Sequence, residues 1–152
     1  MKNWRKHKYF AAVLLVLFAA GLLLAGCGGA DVPESNVPSI TEDGQYTAPE
    51  DVAEYLHTYG HLPDNFITKN EAKALGWNSQ AGNLDEVAPG MSIGGDSFGN
   101  REGALPKEKG RKYYECDVNY EGGYRGGERL VYSNDGLIYY TADHYETFEQ
   151  LY

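Results

Sequence analysis

The chain has 152 residues, 13 Lys and Arg against 22 Asp and Glu, a formal net charge of −9 and two cysteines. That length allows one domain with an appendage but not two sizeable cores, and 42% apolar residues with 13% aromatic ones exclude wholesale disorder. Two cysteines exclude a disulfide framework and a four-cysteine zinc site. The acidic balance argues against broad, non-specific nucleic-acid binding, which needs a basic surface to displace counterions.

Residues 1–27 hold four basic groups, Lys2, Arg5, Lys6 and Lys8, and no acids. Tyr9 to Ala20 is wholly apolar, and Leu-Leu-Leu-Ala-Gly-Cys follows Gly21. A basic start, a short apolar stretch and then small residues form the layout of a secretory signal, and the stretch is short for a transmembrane span of ~20 residues. Leu24-Ala25-Gly26-Cys27 resembles the bacterial lipobox, whose cysteine is lipidated and becomes the new N-terminus. An ordinary cleaved signal with a chance cysteine, or an uncleaved anchor, is the alternative. Each buried methylene contributes ~0.8 kcal/mol, so acyl chains on Cys27 would anchor the protein at the outer face of the cytoplasmic membrane; otherwise it is expected to be secreted. Residues 28–46 are small, polar and punctuated by Pro33 and Pro38, as in a flexible tether or a pro-segment.

The folded unit is expected over residues 47–152. Thr47-Ala48-Pro49-Glu50 fits a capping box, and Val52, Tyr55, Leu56 and Tyr59 follow at helical spacing until Gly60 supplies a stop. Leu62-Pro63-Asp64-Asn65 is a turn. Thr68-Lys69-Asn70-Glu71 is a second capping box, opening a short helix that ends near Leu75-Gly76, and a third helix is predicted from Asn83 to Val87. Glycines crowd residues 90–103, and strand-like segments follow at 112–118, 128–133 and 136–141. Ser133-Asn134-Asp135-Gly136 joins the last two as a hairpin turn. Helices first and strands second predict an α+β fold, with N-terminal short helices packed on one face of a C-terminal antiparallel β-sheet.

Strand alternation puts Cys116 on one face with Tyr114 and Val118, where it reads as a buried, inert thiol. Glu115 points the other way, away from the presumed core, and Arg129 alternates with Leu130 in the same sense. Alone, such a pair on the exposed face of adjacent strands is a surface ion pair worth little. Its company is Lys69 at a helix start, Arg125 in a glycine-rich turn and His144 just after the last strand. His57, His61 and His144 are not spaced as a metal site. Gly94-Gly95-Asp96 lacks the strand-to-helix setting of a phosphate loop, and Asp96 reads as a brace for a loop or a neighbour of Arg101.

Several longer stretches stand out between about Asp51 and Phe148: Leu-Pro-Asp-Asn-Phe-Ile-Thr-Lys at 62–69, Ala-Leu-Gly-Trp at 74–77, Gly-Asn-Leu at 82–84, Val-Ala-Pro-Gly at 87–90 and Ser-Ile-Gly-Gly-Asp at 92–96. Asn-Arg-Glu-Gly at 100–103, Glu-Arg at 128–129, Leu-Ile-Tyr at 137–139 and Asp-His-Tyr at 143–145 follow. In these stretches, and in their order, the chain resembles the barnase-like microbial ribonucleases, guanyl-preferring enzymes secreted by bacteria.

The resemblance implies an endonuclease that cuts single-stranded RNA 3′ of guanosine without a cofactor or metal. It casts Glu115 as the general base that takes the proton of the ribose 2′-hydroxyl, and His144 as the general acid that protonates the departing 5′-oxygen. The product would be a 2′,3′-cyclic phosphate, later hydrolysed to the 3′-phosphate with the two roles reversed. Lys69, Arg125 and Arg129 correspond to the groups that stabilise the pentacoordinate phosphorus, Lys69 from a helix start where amides also face an anion. Gly99, Asn100, Arg101 and Glu102 correspond to the loop that reads guanine, and Tyr145 to an aromatic beside the base.

Some residues depart from the family pattern. Gly99 replaces a serine, which implies a looser base loop and weaker discrimination. Gly136 and Tyr113 replace other aromatics, altering packing at the sheet edge, and Lys107-Glu108-Lys109 mixes charge in a loop expected to be more basic. Two other function classes are compatible with the same residues. One is a catalytically weak, surface-displayed RNA- or protein-binding module. The other is a toxin domain whose producer is shielded by a barstar-like acidic inhibitor. A monomer is expected. Without residues 1–27 the net charge is −13, and residues 47–152 carry −9 with nine Lys and Arg. Four of those nine, Lys69, Arg101, Arg125 and Arg129, belong to the implied site, which predicts a cationic site on an acidic body.

Overall fold

A computed structural model describes residues 40–152. The segment expected to be a secretory signal, Cys27 and the expected tether up to residue 39 lie outside the described residues. Residues 40–46, expected to be tether, are packed: Ile40 is buried, and the Asn65 side chain brackets Tyr46 by accepting from its N–H at 3.3 Å and donating to its carbonyl at 2.9 Å. Tyr55, buried beneath, donates to the Glu42 carbonyl at 2.7 Å.

Helix α1 spans Pro49–Tyr59. The expected Thr47 cap is not formed. Pro49 sits in the first turn, where its fixed φ and missing N–H cost nothing, so the N-cap is Ala48, with no side-chain cap. The Thr47 carbonyl accepts instead from the Asn119 N–H, at 2.7 Å. Glu50 and Asp51 still place negative charge in the first turn. Gly60, at φ 76°, closes the helix with its N–H on the Leu56 carbonyl at 2.9 Å.

Strand β1, Phe66–Ile67, leads into α2, Lys69–Ala74, where the expected capping box between Thr68 and Glu71 is complete. Helix α3 is the single turn Leu84–Val87. Four strands follow that were anticipated only in part: β2 Ser92–Phe98, β3 Tyr113–Asp117, β4 Arg129–Ser133 and β5 Ile138–Thr141, with a short β6 at Glu149–Gln150. They form one six-stranded sheet in sequence order, parallel between β1 and β2 and antiparallel elsewhere. The turn at 133–136 joins β4 and β5 as expected, with Gly136 at φ 99°.

Strand β2 runs through the glycine-rich stretch that concealed it. A Cβ on Gly94 would lie 2.7 Å from Cys116 Cβ and 2.7 Å from Phe66 Cδ1, so the glycine lets β1, β2 and β3 approach closely. Gly95, at φ 91°, lies in the register shift between Gly94 and Asp96 and re-aims the end of the strand.

The sheet separates two clusters. On one face Val52, Ala53 and Leu56 of α1 pack on Cys116, Val118, Leu130 and Ile138. Burial pushes the Cys116 thiol far above its ordinary range, which keeps it inert. The opposite face was expected to be free and is not: Tyr113, Val131 and Tyr139 are covered there by Leu105, Phe98, Tyr145 and Phe148. A third cluster, Ala72, Trp77, Leu84, Ala88 and Ile93, seats α2 and α3 against β2.

Candidate active site

Register sets the site. Glu115 lies opposite Val131 and Asp117 opposite Arg129, so Glu115, Asp117 and Arg129 share the face away from α1. Reading Glu115 and Arg129 as an exposed pair is corrected here: Glu115 is 9% exposed and Arg129 3%. The loops after β2 and β5 cover that face, which makes it a partly dry interior where charges must be paired.

The pairing is specific. Lys69, the first residue of α2, reaches Glu115 with Nζ 2.5 Å from Oε1. The Tyr145 hydroxyl donates to Glu115 Oε2 at 2.6 Å. Tyr145 was expected only beside a base; its ring does pack on Phe98, but its hydroxyl belongs to the carboxylate. Burial alone would raise the Glu115 pKa, yet the hydrogen bonds from Lys69 and Tyr145 and the charges of Lys69 and Arg125 outweigh it and hold the carboxyl below its usual range. Burial and the neighbouring Glu115 push the Tyr145 hydroxyl well up, so it stays a donor.

Asp117 was absent from the residues singled out in the sequence, and it organises the cations. Arg125 grips it bidentately, Nε to Oδ2 at 2.5 Å and Nη2 to Oδ1 at 2.6 Å. Arg129 Nε lies 2.9 Å from Oδ1 as an ion contact, although its N–H is not aimed at that oxygen and finds no other acceptor. Arg129 Nη1 donates to the carbonyls of Gly126 at 2.9 Å and Glu128 at 2.6 Å. The Arg125 guanidinium also stands 5.8 Å from the centre of the Trp77 ring, tying the turn at 122–127 to the α2–α3 cluster.

Asp96 is a brace, as expected, but for α2: its Oδ2 accepts the Lys69 N–H at 2.9 Å. That amide is therefore occupied and not open to an external anion. Lys69, Arg125 and Arg129 face the carboxylates of Glu115 and Asp117. These five groups sum to a single positive charge, before Asp96 beside the Lys69 amide is counted, so the centre is less cationic than the sequence suggested.

His144 and Tyr145 occupy the turn after β5 with φ 57° and 76°, the left-handed region that non-glycine residues rarely adopt. Asp143 holds this turn. Its Oδ1 accepts from Thr141 Oγ1 at 2.9 Å, Glu146 N at 3.0 Å and Thr147 N at 2.9 Å, and its Oδ2 from Thr147 Oγ1 at 2.6 Å. Thr141 Oγ1 in turn accepts the Tyr145 N–H at 3.0 Å. His144 is exposed and lies against the Tyr145 ring, centroids 4.7 Å apart, so His144, Tyr145 and Glu115 form a contiguous row.

The loop at 99–105 meets this row. Asn100, at φ 38°, closes the loop by accepting the Leu105 N–H at 3.0 Å and donating to the Leu105 carbonyl at 2.9 Å. Asn100 and Glu102 line a cavity of about 290 Å³ together with Phe98, His144, Tyr145 and Phe148. Gly99 and Arg101 lie on the same loop but outside that lining. Among the described residues no group of three or more His, Cys, Asp or Glu is arranged to hold a metal ion.

The depressed carboxylates predict how stability depends on pH. Glu115 titrates lower folded than unfolded, so its contribution is complete above the ordinary glutamate value of ~4.3 and is lost as pH falls through its folded value. Asp135, paired with Arg111, and Asp143, bonded to Thr147, are both held down to about 2 and act in the same sense at lower pH. Urea unfolding measured from pH 6 to pH 2 is expected to show level stability down to about pH 5 and falling stability below it. Glu115→Gln is expected to flatten only the upper part of that fall.

A family model described as ribonuclease matches residues 48–152. A ribonuclease of Heyndrickxia coagulans is 60% identical over 100 residues, which cover 66% of this chain and 92% of that protein. A ribonuclease of Bacillus intermedius is also 60% identical over 100 residues, which cover 62% of its length. The guanyl-specific ribonuclease St of Saccharopolyspora erythraea is 44% identical over 55 residues, 36% of this chain and 54% of that protein.

Proposed function

The chain belongs to the ribonuclease family and is an RNA endonuclease, and from that premise we propose that it cuts single-stranded RNA on the 3′ side of guanosine, by transphosphorylation. The observation that carries the reading is Glu115, a carboxylate kept ionised in a nearly buried setting by Lys69, Tyr145 and the charge of Arg125. Lys69 and Tyr145 occupy one lone pair on each of its oxygens, which leaves others to accept a proton. Glu115 takes the 2′-hydroxyl proton while that oxygen bonds to phosphorus. His144 gives a proton to the 5′-oxygen as its bond to phosphorus breaks. Lys69, Arg125 and Arg129 balance the charge that gathers on the non-bridging oxygens. A second turnover of the same groups, with roles exchanged, adds water to the cyclic phosphate.

Base preference follows from the cavity beside His144. In this reading Glu102, which lines the cavity, accepts from guanine N1–H and the 2-amino group while backbone amides of the 99–102 loop meet O6; the guanyl-specific relative supports it. Adenine has no such donor pair, so a binding carboxylate stays unmet, at a cost of ~1–3 kcal/mol. The test compares kcat/KM for guanylyl-3′,5′-uridine and adenylyl-3′,5′-uridine. The wild type is expected to prefer the first by about 10–100-fold, and Glu102→Ala to lose most of that preference. Equal rates on both substrates in the wild type would remove the guanine assignment.

The protein is also proposed to be exported by its basic and apolar N-terminal segment and lipidated at Cys27. Labelling of producing cells with palmitate is expected to mark the wild type and not Cys27→Ser. Absence of label from both would remove the anchor.

A further inference from the structure

Charge on the catalytic domain is unevenly placed. Residues 47–152 carry −9, yet the loop 99–112 between β2 and β3 holds Arg101, Lys107, Lys109, Arg111 and Lys112 against only Glu102 and Glu108, a net +3. The rest of the domain is therefore −12. Lys69, Arg125 and Arg129 are committed to carboxylates, and Arg111 is chelated by Asp135, Nε at 2.9 Å and Nη2 at 2.7 Å. Among the described residues no carboxylate oxygen lies within ion-pair distance of Lys107, Lys109 or Lys112.

Two of these lysines, Lys107 and Lys112, border a built groove. A cavity of about 410 Å³ is lined by Phe98, Asn100, Lys107, Glu108, Arg111 and Lys112, among others, and shares Phe98 and Asn100 with the base cavity. Its wall is pinned. The Pro106 carbonyl accepts from Arg111 Nη1 at 3.2 Å and Tyr113 Oη at 2.8 Å, and Asn134 holds the Lys112 N–H at 2.7 Å and the Gly110 carbonyl at 3.2 Å. Lys107 Nζ lies beside Gly103, the residue after Glu102, and so stands between the base loop and the groove: a Cβ on Gly103 would be 3.3 Å from it.

We infer that this groove is a second RNA subsite, in which Lys107 and Lys112 hold the phosphodiesters on the 5′ side of the bound guanosine. The inference rests on the guanosine assignment of the base loop. The 3′-phosphate of that nucleoside is consumed at Glu115, so the strand that leaves the base loop away from this centre is the 5′ one. The acidic remainder of the domain disfavours RNA on balance, which makes the positive groove a guide for a polyanion. Each phosphate neutralised on a single strand contributes ~0.7 to the slope of log affinity against log salt.

The test uses the full chain and oligonucleotides with one guanosine. Wild type is expected to cleave UUUGU about tenfold faster in kcat/KM than guanylyl-3′,5′-uridine at low salt, the gain fading as salt rises. Lys107→Glu with Lys112→Glu should abolish that gain and leave the dinucleotide rate within about twofold, since the dinucleotide has no 5′ phosphates. Glu108→Lys should enlarge the gain. Anisotropy with an uncleavable oligonucleotide bearing 2′-deoxyguanosine reads binding alone, and the double variant should lower its salt slope by ~1.4. A gain that survives the double variant, or that appears equally for GUUUU, overturns the subsite. Loss of dinucleotide cleavage in the wild type, with tight lysine-dependent binding retained, would instead overturn the catalytic reading and leave the groove standing.

Discussion

Glu115→Gln is expected to lower kcat for guanylyl-3′,5′-uridine by about 10²–10⁴-fold, ~3–5 kcal/mol in the barrier, with KM nearly unchanged. The glutamine fits the same space and can still accept one hydrogen bond, from Lys69 or Tyr145, so the turn at 143–147 and the start of α2 should keep their places. What disappears is a group able to take a proton. His144→Ala is expected to lose a comparable factor, because without a proton donor the 5′-oxygen must leave as an alkoxide. The double variant should be only slightly slower than either single one, since the two proton transfers belong to one displacement at phosphorus and each is of little use without the other. A double loss equal to the product of the single losses would mean that the residues work independently.

Asp117→Ala is expected to destabilise the domain by about 3–5 kcal/mol, because it leaves two guanidinium groups facing each other without their counter-charge. The side chains of Asp117, Arg129 and Arg125 are 3%, 4% and 20% exposed, so water cannot fully replace the carboxylate. Against a total stability of ~5–15 kcal/mol, that loss is large. Urea unfolding at low temperature should show a lower midpoint with an unchanged slope. Activity should fall even where the variant is fully folded, because Arg125 loses both hydrogen bonds that fix its plane. A variant as stable as the wild type would show that the arginines find other partners, and Asp117 would lose its organising role.

Local rules made part of this visible in the sequence. The Thr68–Glu71 capping box, the stop at Gly60 and the turn at 133–136 depend on neighbours in the chain, and all three are present. The Thr47 cap failed by one residue, because Pro49 sets where the first turn begins. Strand β2 could not be read, because the glycines that weaken strand propensity are there for a tertiary reason, the close approach to Cys116 and Phe66. The site was legible as a set of residue types and not as a geometry. Asp117 looked like one more alternation along β3. Only the register with Arg129, and the return of Arg125 from a distant turn, reveal it as the hub. The hydroxyl of Tyr145 depends in the same way on a left-handed turn that spacing does not disclose.

Phosphorus NMR of guanylyl-3′,5′-uridine incubated with the wild-type chain addresses the chemistry most directly. Guanosine 2′,3′-cyclic phosphate should accumulate first and convert slowly to the 3′-phosphate, with uridine as the other product and neither step seen with Glu115→Gln. A 5′-phosphate product, a 3′-phosphate formed without the cyclic intermediate, or a wild type no faster than Glu115→Gln would contradict it.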